Sequence, residues 1–238
     1  MSFVEKLHKK NIIAKPGFNR WLVPPASIAI HLCIGSVYAW SMFNPALIKV
    51  LGVVSSSGDD WSLSQVVWIF SVAIVSLGLA AAYAGKWLEK VGPRMVGFFA
   101  ACCWGGGFII GSLGIYLQEN GVVINLSLPF VSPDEITMQL GLYLLYLGYG
   151  VIGGVGLGLG YVSPVSTLIR WFPDRRGMAT GMAIMGFGGG AMIAKFTIDK
   201  LLETFYKVPE YLGTLDSVEL ITEGGRRFAE ISGSMIEV

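Results

Sequence analysis

Gly85-Lys86-Trp87-Leu88-Glu89-Lys90-Val91-Gly92-Pro93-Arg94 is a short basic stretch set between two long runs without charge, residues 64–84 and 95–117. About 20 apolar residues carry a helix across the hydrocarbon core of a bilayer, and both runs reach that length. The stretch therefore joins two membrane helices through a tight turn. Gly85 and Gly92 are the expected turn residues, and Lys86, Lys90 and Arg94 place the turn on the cytoplasmic side.

Composition agrees. The 238 residues are 53% hydrophobic and only 14% charged, with a mean hydropathy of +0.63. A water-soluble domain of this length carries far more surface charge, so the expected class is an all-α polytopic membrane protein. The net charge of +1 names no partner, because the charges are sorted by side of the membrane. No continuous basic stripe points to nucleic acid. Cys33, Cys102 and Cys103 all fall inside apolar runs and read as packing residues. No Cys/His grouping has metal-ligand spacing, and neither a metal nor a cofactor is expected.

In chain order, residues 1–20 form a basic tail with Lys6, Lys9, Lys10, Lys15 and Arg20 against Glu5. The uncharged stretch that begins at Trp21 is too long for a signal-peptide core, so it is the first of five spans. These are expected at about 21–43, 64–85, 95–117, 141–169 and 178–198, within a transmembrane bundle over residues 21–200. Ser62 and Gln65 have capping-box spacing at the start of the second span. Asp59, Asp60, Glu119, Asp134 and Glu135 mark outer loops, with a further helix start at Ser132-Pro133-Asp134-Glu135. The three inner segments hold eleven Lys and Arg, and the first two outer loops hold one, Lys49. The protein is thus expected in the cell membrane as a multi-pass chain with its N-terminus in the cytoplasm, with lipid around it. Residues 201–238 read as a polar external segment before a missing sixth span.

The first basic stretch resembles the loop between helices two and three of major facilitator superfamily transporters. Trp171-Phe172-Pro173-Asp174-Arg175-Arg176-Gly177 is similar to the fourth-to-fifth loop of the oxalate/formate antiporters and their monocarboxylate-porter relatives. Gly35-Ser36-Val37-Tyr38-Ala39-Trp40-Ser41 resembles that group's first helix, and Trp61-Ser62-Leu63-Ser64-Gln65 resembles the start of its second. The likeness extends over residues 20–200, and it implies a major facilitator-type N-terminal helical bundle, incomplete at about five helices. It also implies a cytoplasmic gate latch formed by Gly85, Glu89, Lys90, Gly92, Arg94, Arg170, Asp174, Arg175 and Arg176, with Arg170 as the partner of Glu89. The family pattern has Asp and Arg where this chain has Glu89 and Lys90, and a further base where it has Met95.

Glycines gather on single faces: Gly107, Gly111 and Gly114 on the third span, and Gly153, Gly156 and Gly160 with Tyr149 on the fourth. Such stripes let helix backbones approach closely in a membrane. Gly154-Val155-Gly156-Leu157-Gly158-Leu159-Gly160 lies inside an apolar span and lacks a phosphate-binding lysine, so it is not a nucleotide loop. His31 is the mid-span ionisable side chain, and such residues face a cavity or a partner. On a helical wheel it shares a stripe with Gly35 and Tyr38, giving His31, Gly35 and Tyr38 as the expected substrate-cavity residues, with Trp40 opposite.

No nucleophile–base pair or metal pair within the spans suggests an enzyme. The expected activity is secondary transport of a small carboxylate anion by alternating access. A carboxylate needs positive charge to leave water, and these spans offer only His31. A missing C-terminal transporter half is therefore the expected partner. A non-transporting membrane protein or assembly partner is the alternative.

Overall fold

The computed structural model describes residues 3–48, 53–54, 61–120, 122, 124–127, 137–205, 211–214, 216–224 and 226–238. Among the described residues, five helices are long and apolar enough to cross a membrane: Arg20–Met42, Leu63–Val91, Pro93–Glu119, Leu140–Trp171 and Arg176–Phe205. They are called the first to fifth spans below. Lys49, Asp59, Asp60 and the helix start at Ser132–Glu135 lie outside the described residues.

The second span begins as its sequence directs. Ser62 Oγ accepts from the Gln65 amide at 3.4 Å, and Gln65 Oε1 accepts from the Ser62 amide at 2.9 Å. This reciprocal cap satisfies amides that have no partner within the helix. Ser62→Ala is expected to cost about 1 kcal/mol, measurable as an earlier thermal unfolding midpoint in detergent. At its other end the second span does not stop at Gly85. It continues to Val91, and the third span starts at Pro93, so the turn is the single residue Gly92. Lys86, Glu89 and Lys90 are charged, exposed and helical at once, so water solvates their side chains without breaking the backbone ladder. Gly92 has φ +95, a conformation that favours glycine, and Pro93 supplies the pre-set φ of a first helical residue.

Two spans depart from α-geometry. The first is α-helical over Val23–Ile34 and a 3-10 helix over Gly35–Met42. The fourth contains a π-helical segment, Tyr146–Gly153, between Leu140–Leu145 and Gly154–Trp171. Irregular turns of both kinds recur where helices serve a function.

The fourth span is the centre of the bundle. It packs against the second and third spans along most of its length and against the first and fifth near Gly154–Trp171, while the first span packs on the fifth. The main core joins Ile34, Val37 and Trp40 to Val66, Ile69, Tyr149, Leu157 and Phe187. Trp40 is buried, stacks on Tyr149 at 4.4 Å, and donates its indole N–H to the Val66 carbonyl at 3.2 Å. Cys33 and Cys102 lie exposed on the bundle surface and do not pack inside it, and Cys103 is half-buried.

Short strands gather at the end remote from Gly92. Val53–Val54 (β1) pairs antiparallel with Tyr211–Gly213 (β4), which ties the segment after the first span to the segment after the fifth. Asn125–Ser127 (β2) pairs with Thr137–Gln139 (β3) between the third and fourth spans. The tail beyond the fifth span is a meander of Leu220–Glu223 (β5), Arg226–Ile231 (β6) and Ser234–Glu237 (β7). The β6–β7 turn has positive φ at both Ser232 and Gly233, the hairpin turn whose twist matches the flanking strands.

Candidate functional site

Two regions collect the residues that sequence reasoning marked. One is the charged end of the bundle. There, Arg170 Nη2 lies 3.3 Å from Glu89 Oε1, joining the ends of the fourth and second spans. Both side chains are well exposed, so the pair contributes about 0–1 kcal/mol. Lys9 adds a hydrogen bond from Nζ to the Glu89 carbonyl at 2.6 Å, and its backbone rests on Gly92. A Cβ on Gly92 would stand 2.7 Å from Lys9 Cβ. Gly85 makes no comparable contact, since a Cβ there would meet nothing within 4 Å.

The same end holds a second, better-formed contact. Arg20 Nη1 and Nη2 donate to the two carboxylate oxygens of Asp174 at 2.9 and 3.0 Å. The hydrogen bond from Arg20 holds the Asp174 carboxyl below its usual range, with Arg175, 3.8 Å away, helping. Arg20 also sits 4.9 Å above the Phe172 ring. Trp21 meets Phe172 edge-on at 5.2 Å, and Phe18 lies 5.4 Å from Trp171. Phe172 is fully buried by this arrangement. The entry to the first span is thereby clamped to the loop between the fourth and fifth. Lys90, Arg94 and Arg176 are exposed around the rim. Arg20 is missed when residues 1–20 are treated as a tail; the available signal is the adjacency of Arg20 to the span and the scarcity of acids at this end.

The other region lies at mid-span. His31 is fully buried, and its Nδ1 lies 2.9 Å from the Ser27 carbonyl. A carbonyl only accepts, so Nδ1 carries the hydrogen and Nε2 is left as the bare nitrogen of the neutral ring. Nε2 has no hydrogen-bond partner among the described residues. The ring meets Tyr161 at 5.6 Å and Phe187 at 6.3 Å, both edge-on. Phe187 in turn touches Tyr38 at 5.1 Å and Tyr161 at 5.2 Å. Phe187 is therefore the hub through which the first, fourth and fifth spans meet, a role no local pattern in the sequence marks.

His31, Gly35 and Tyr38 do not share one open surface. Gly35 is buried against the backbone of Phe187 and Gly190, whereas Tyr38 is 46% exposed. A 3-10 helix eclipses residues three apart, so Gly35 and Tyr38 keep to one face, and Phe187 of the fifth span covers it: its backbone lies over Gly35 and its ring touches His31 and Tyr38.

The glycines of the third and fourth spans lie in helix contacts. Cβ atoms on Gly107 and Gly114 would stand 2.5 Å from the carbonyl oxygens of Gly148 and Gly141. Gly111 faces Leu145, Gly153 faces the Trp104 ring, and Gly156 faces the backbone of Trp104 and Ala100. Gly160 faces Ile34 of the first span. The glycines between them do equal work: Gly150, Gly154 and Gly158 face Val72, Ala73 and Leu77 of the second span. The glycine-rich run is thus two-faced, which a search for one stripe overlooks. Among the described residues no group of His, Cys, Asp and Glu could hold a metal ion.

The sequence pattern of the Major Facilitator Superfamily matches residues 30–198, and this chain belongs to that superfamily. It is a multi-pass membrane protein with carboxylate and monocarboxylate transporters among its relatives. An uncharacterized MFS-type transporter of Escherichia coli (strain K12), YhjX, is 31% identical over 78% of this chain and 38% of its own length. The oxalate:formate antiporter of Oxalobacter formigenes is 27% identical over 73% of this chain and 34% of its own. Human monocarboxylate transporter 11 is 25% identical over 78% and 32%. The chain spans about a third of the length of these curated relatives. No solved structure matches it.

Proposed function

We propose that the protein takes part in secondary active transport of small carboxylates, of the oxalate, formate or monocarboxylate class, by alternating access. The observation that carries this reading is the bundle's charged end, where weak exposed contacts join elements that must part if the end is to open. Glu89–Arg170 links the second and fourth spans, and Arg20–Asp174 links the first span to the fourth-to-fifth loop. Interactions of this size hold a closed state without locking it. The names of the relatives supply the substrate class. With the basic segments placed inside, the charged end is the cytoplasmic gate, the N-terminus is cytoplasmic, and the protein resides in the cell membrane. Transport then needs no catalytic chemistry.

The substrate wall is the aromatic cluster around His31 and Tyr38. Gly35 serves it indirectly, letting the fifth span come close enough to seat Phe187 between them. A neutral His31 offers only an acceptor at Nε2, so a carboxylate bound there arrives with a proton or meets an imidazolium. One protonatable group is a thin basis for holding an anion, and a second helical bundle supplying further cations completes the site.

Proteoliposomes loaded with unlabelled oxalate, formate or lactate test this reading by uptake of the labelled acids. The five-helix chain alone is expected to be inactive, and the chain joined to or expressed with a second bundle is expected to exchange at least one acid. Exchange by the chain alone would refute the need for a second lobe, and no exchange with both would refute the substrate class. In the active assembly Glu89→Gln is expected to favour the inward-open state by up to about 1 kcal/mol, roughly fivefold. Labelling of single cysteines on the inner ends of the second and fourth spans reads that change.

A further inference from the structure

An open groove of about 500 Å³ runs between the second and fourth spans, apart from both regions above. Leu79, Tyr83 and Trp87 form one wall and Val151, Val155 and Leu159 the other. Leu79 and Tyr83 are 61% and 81% exposed, so this is outer surface of the bundle at membrane depth.

Three features of the groove agree on one occupant. The first is length. From Ser76 to Trp87 the groove rises about 16 Å at 1.5 Å per residue, and one leaflet of a hydrocarbon core about 30 Å thick spans about 15 Å. The second is the pair of aromatic rings at its lower end, Tyr83 and Trp87, residue types that settle at the boundary between hydrocarbon and headgroups. The third is charge. Lys86 and Lys90 each stand three residues beyond one of those rings, hence beside it on the helix surface, and both are exposed. Glu89, the acid in that turn, points to a different side of the helix and is paired with Arg170.

We propose that this groove binds an anionic phospholipid, with one acyl chain lying between the second and fourth spans and the phosphate held by Lys86 and Lys90. The chain fills a trough that no described side chain fills, and the headgroup meets two cations at the depth where headgroups lie. A lipid so placed bridges the second and fourth spans, with Trp87 at its lower end also touching Phe99 of the third span at 5.4 Å.

The test is native mass spectrometry of the purified chain in neutral detergent, offered phosphatidylglycerol and phosphatidylcholine of equal acyl length. Phosphatidylglycerol is expected to be retained about tenfold or more over phosphatidylcholine, since each lysine near an anionic headgroup is worth about fivefold. Lys86→Gln with Lys90→Gln is expected to bring the two lipids to parity; both side chains are exposed, so folding is retained. Ala80→Trp, filling the trough from its wall, is expected to lower retention of both lipids. A dihexanoyl phosphatidylglycerol, with the same headgroup and chains too short for the trough, is expected to bind the unaltered chain at least tenfold more weakly. Equal retention of the two lipids by the unaltered chain, or an anionic preference that survives the double lysine change, overturns the proposal. Undiminished binding of the short-chain lipid or of glycerol phosphate shows a surface phosphate site and overturns the acyl-chain assignment. Undiminished retention in a folded Ala80→Trp variant does the same.

Discussion

Gly190→Ala is expected to destabilise the bundle by about 3 kcal/mol, the upper part of the range for overpacking a tight contact, whereas Gly188→Ala is expected to be neutral or mildly stabilising. The two positions lie two residues apart on one helix and differ in what a methyl group would meet. At Gly190 a Cβ would stand 2.5 Å from the Leu32 carbonyl oxygen and 2.7 Å from the Gly35 Cα. These are backbone atoms, which no rotamer change can move aside, so the first and fifth spans must separate along their whole crossing. Phe187 would then lose its seat against His31, Tyr38 and Tyr161. At Gly188 a Cβ would meet nothing within 4 Å, and alanine there gains up to about 1 kcal/mol of helix propensity. Thermal unfolding of the two variants in the same detergent decides the matter. Equal midpoints would mean that the first and fifth spans do not cross at Gly35 and Gly190.

The parts of this fold that sequence reasoning reaches are those set by solvent. Length of apolar runs identifies five bilayer-crossing helices because a buried backbone in lipid has few other ways to satisfy its amides. The Ser62–Gln65 cap is legible for a similar reason, since it depends on residues three apart. Pairing across the fold is less legible. Glu89 with Arg170 follows from two groups known to end adjacent helices, but Arg20 with Asp174 joins residues 154 apart, and five basic tail residues compete on paper for that acid. Helix boundaries set by charge are misleading, because Lys86, Glu89 and Lys90 leave the membrane while the helix continues. The mid-span site suffers most. A wheel places His31, Gly35 and Tyr38 on one stripe but does not show that Phe187 of the fifth span covers it. Phe187 has no partner near it in sequence and gains its place only when three spans come together. Residues 201–238 read as a polar segment, although Gly224-Gly225 between two short alternating segments is also what a hairpin requires.

The Arg20–Asp174 clamp gives the clearest test of the charged end. Arg20→Asp is expected to open it, since the change removes two hydrogen bonds, places like charges together and strips the cation from the Phe172 ring. In the unaltered chain the ring contact adds about 0.5–1 kcal/mol at an exposed site, roughly twofold to fivefold in favour of closure, a part that a reporter lacking the ring leaves out. Asp174→Arg is expected to do the same. The double reversal, Arg20→Asp with Asp174→Arg, restores an opposite pair in the same place and is expected to recover most of the closure, though not the stacking on Phe172. A cysteine at Phe172, in a background without Cys33, Cys102 and Cys103, reports each state through its rate of modification by a water-soluble reagent. Because that substitution removes the ring, the comparison isolates the charge pair. The sign of the pH dependence follows from the carboxyl. Its folded pKa lies below the unfolded value of about 3.9, so the pair's contribution is fully present above that value and fades as pH falls through the depressed one. Modification rates in the Arg20–Asp174 background are thus expected to stay flat from pH 7 to 5, once corrected for the reagent's own pH dependence. A rate that climbs across that window, or a double reversal no slower than either single, would mean that Asp174 is not what holds the first span to the fourth-to-fifth loop.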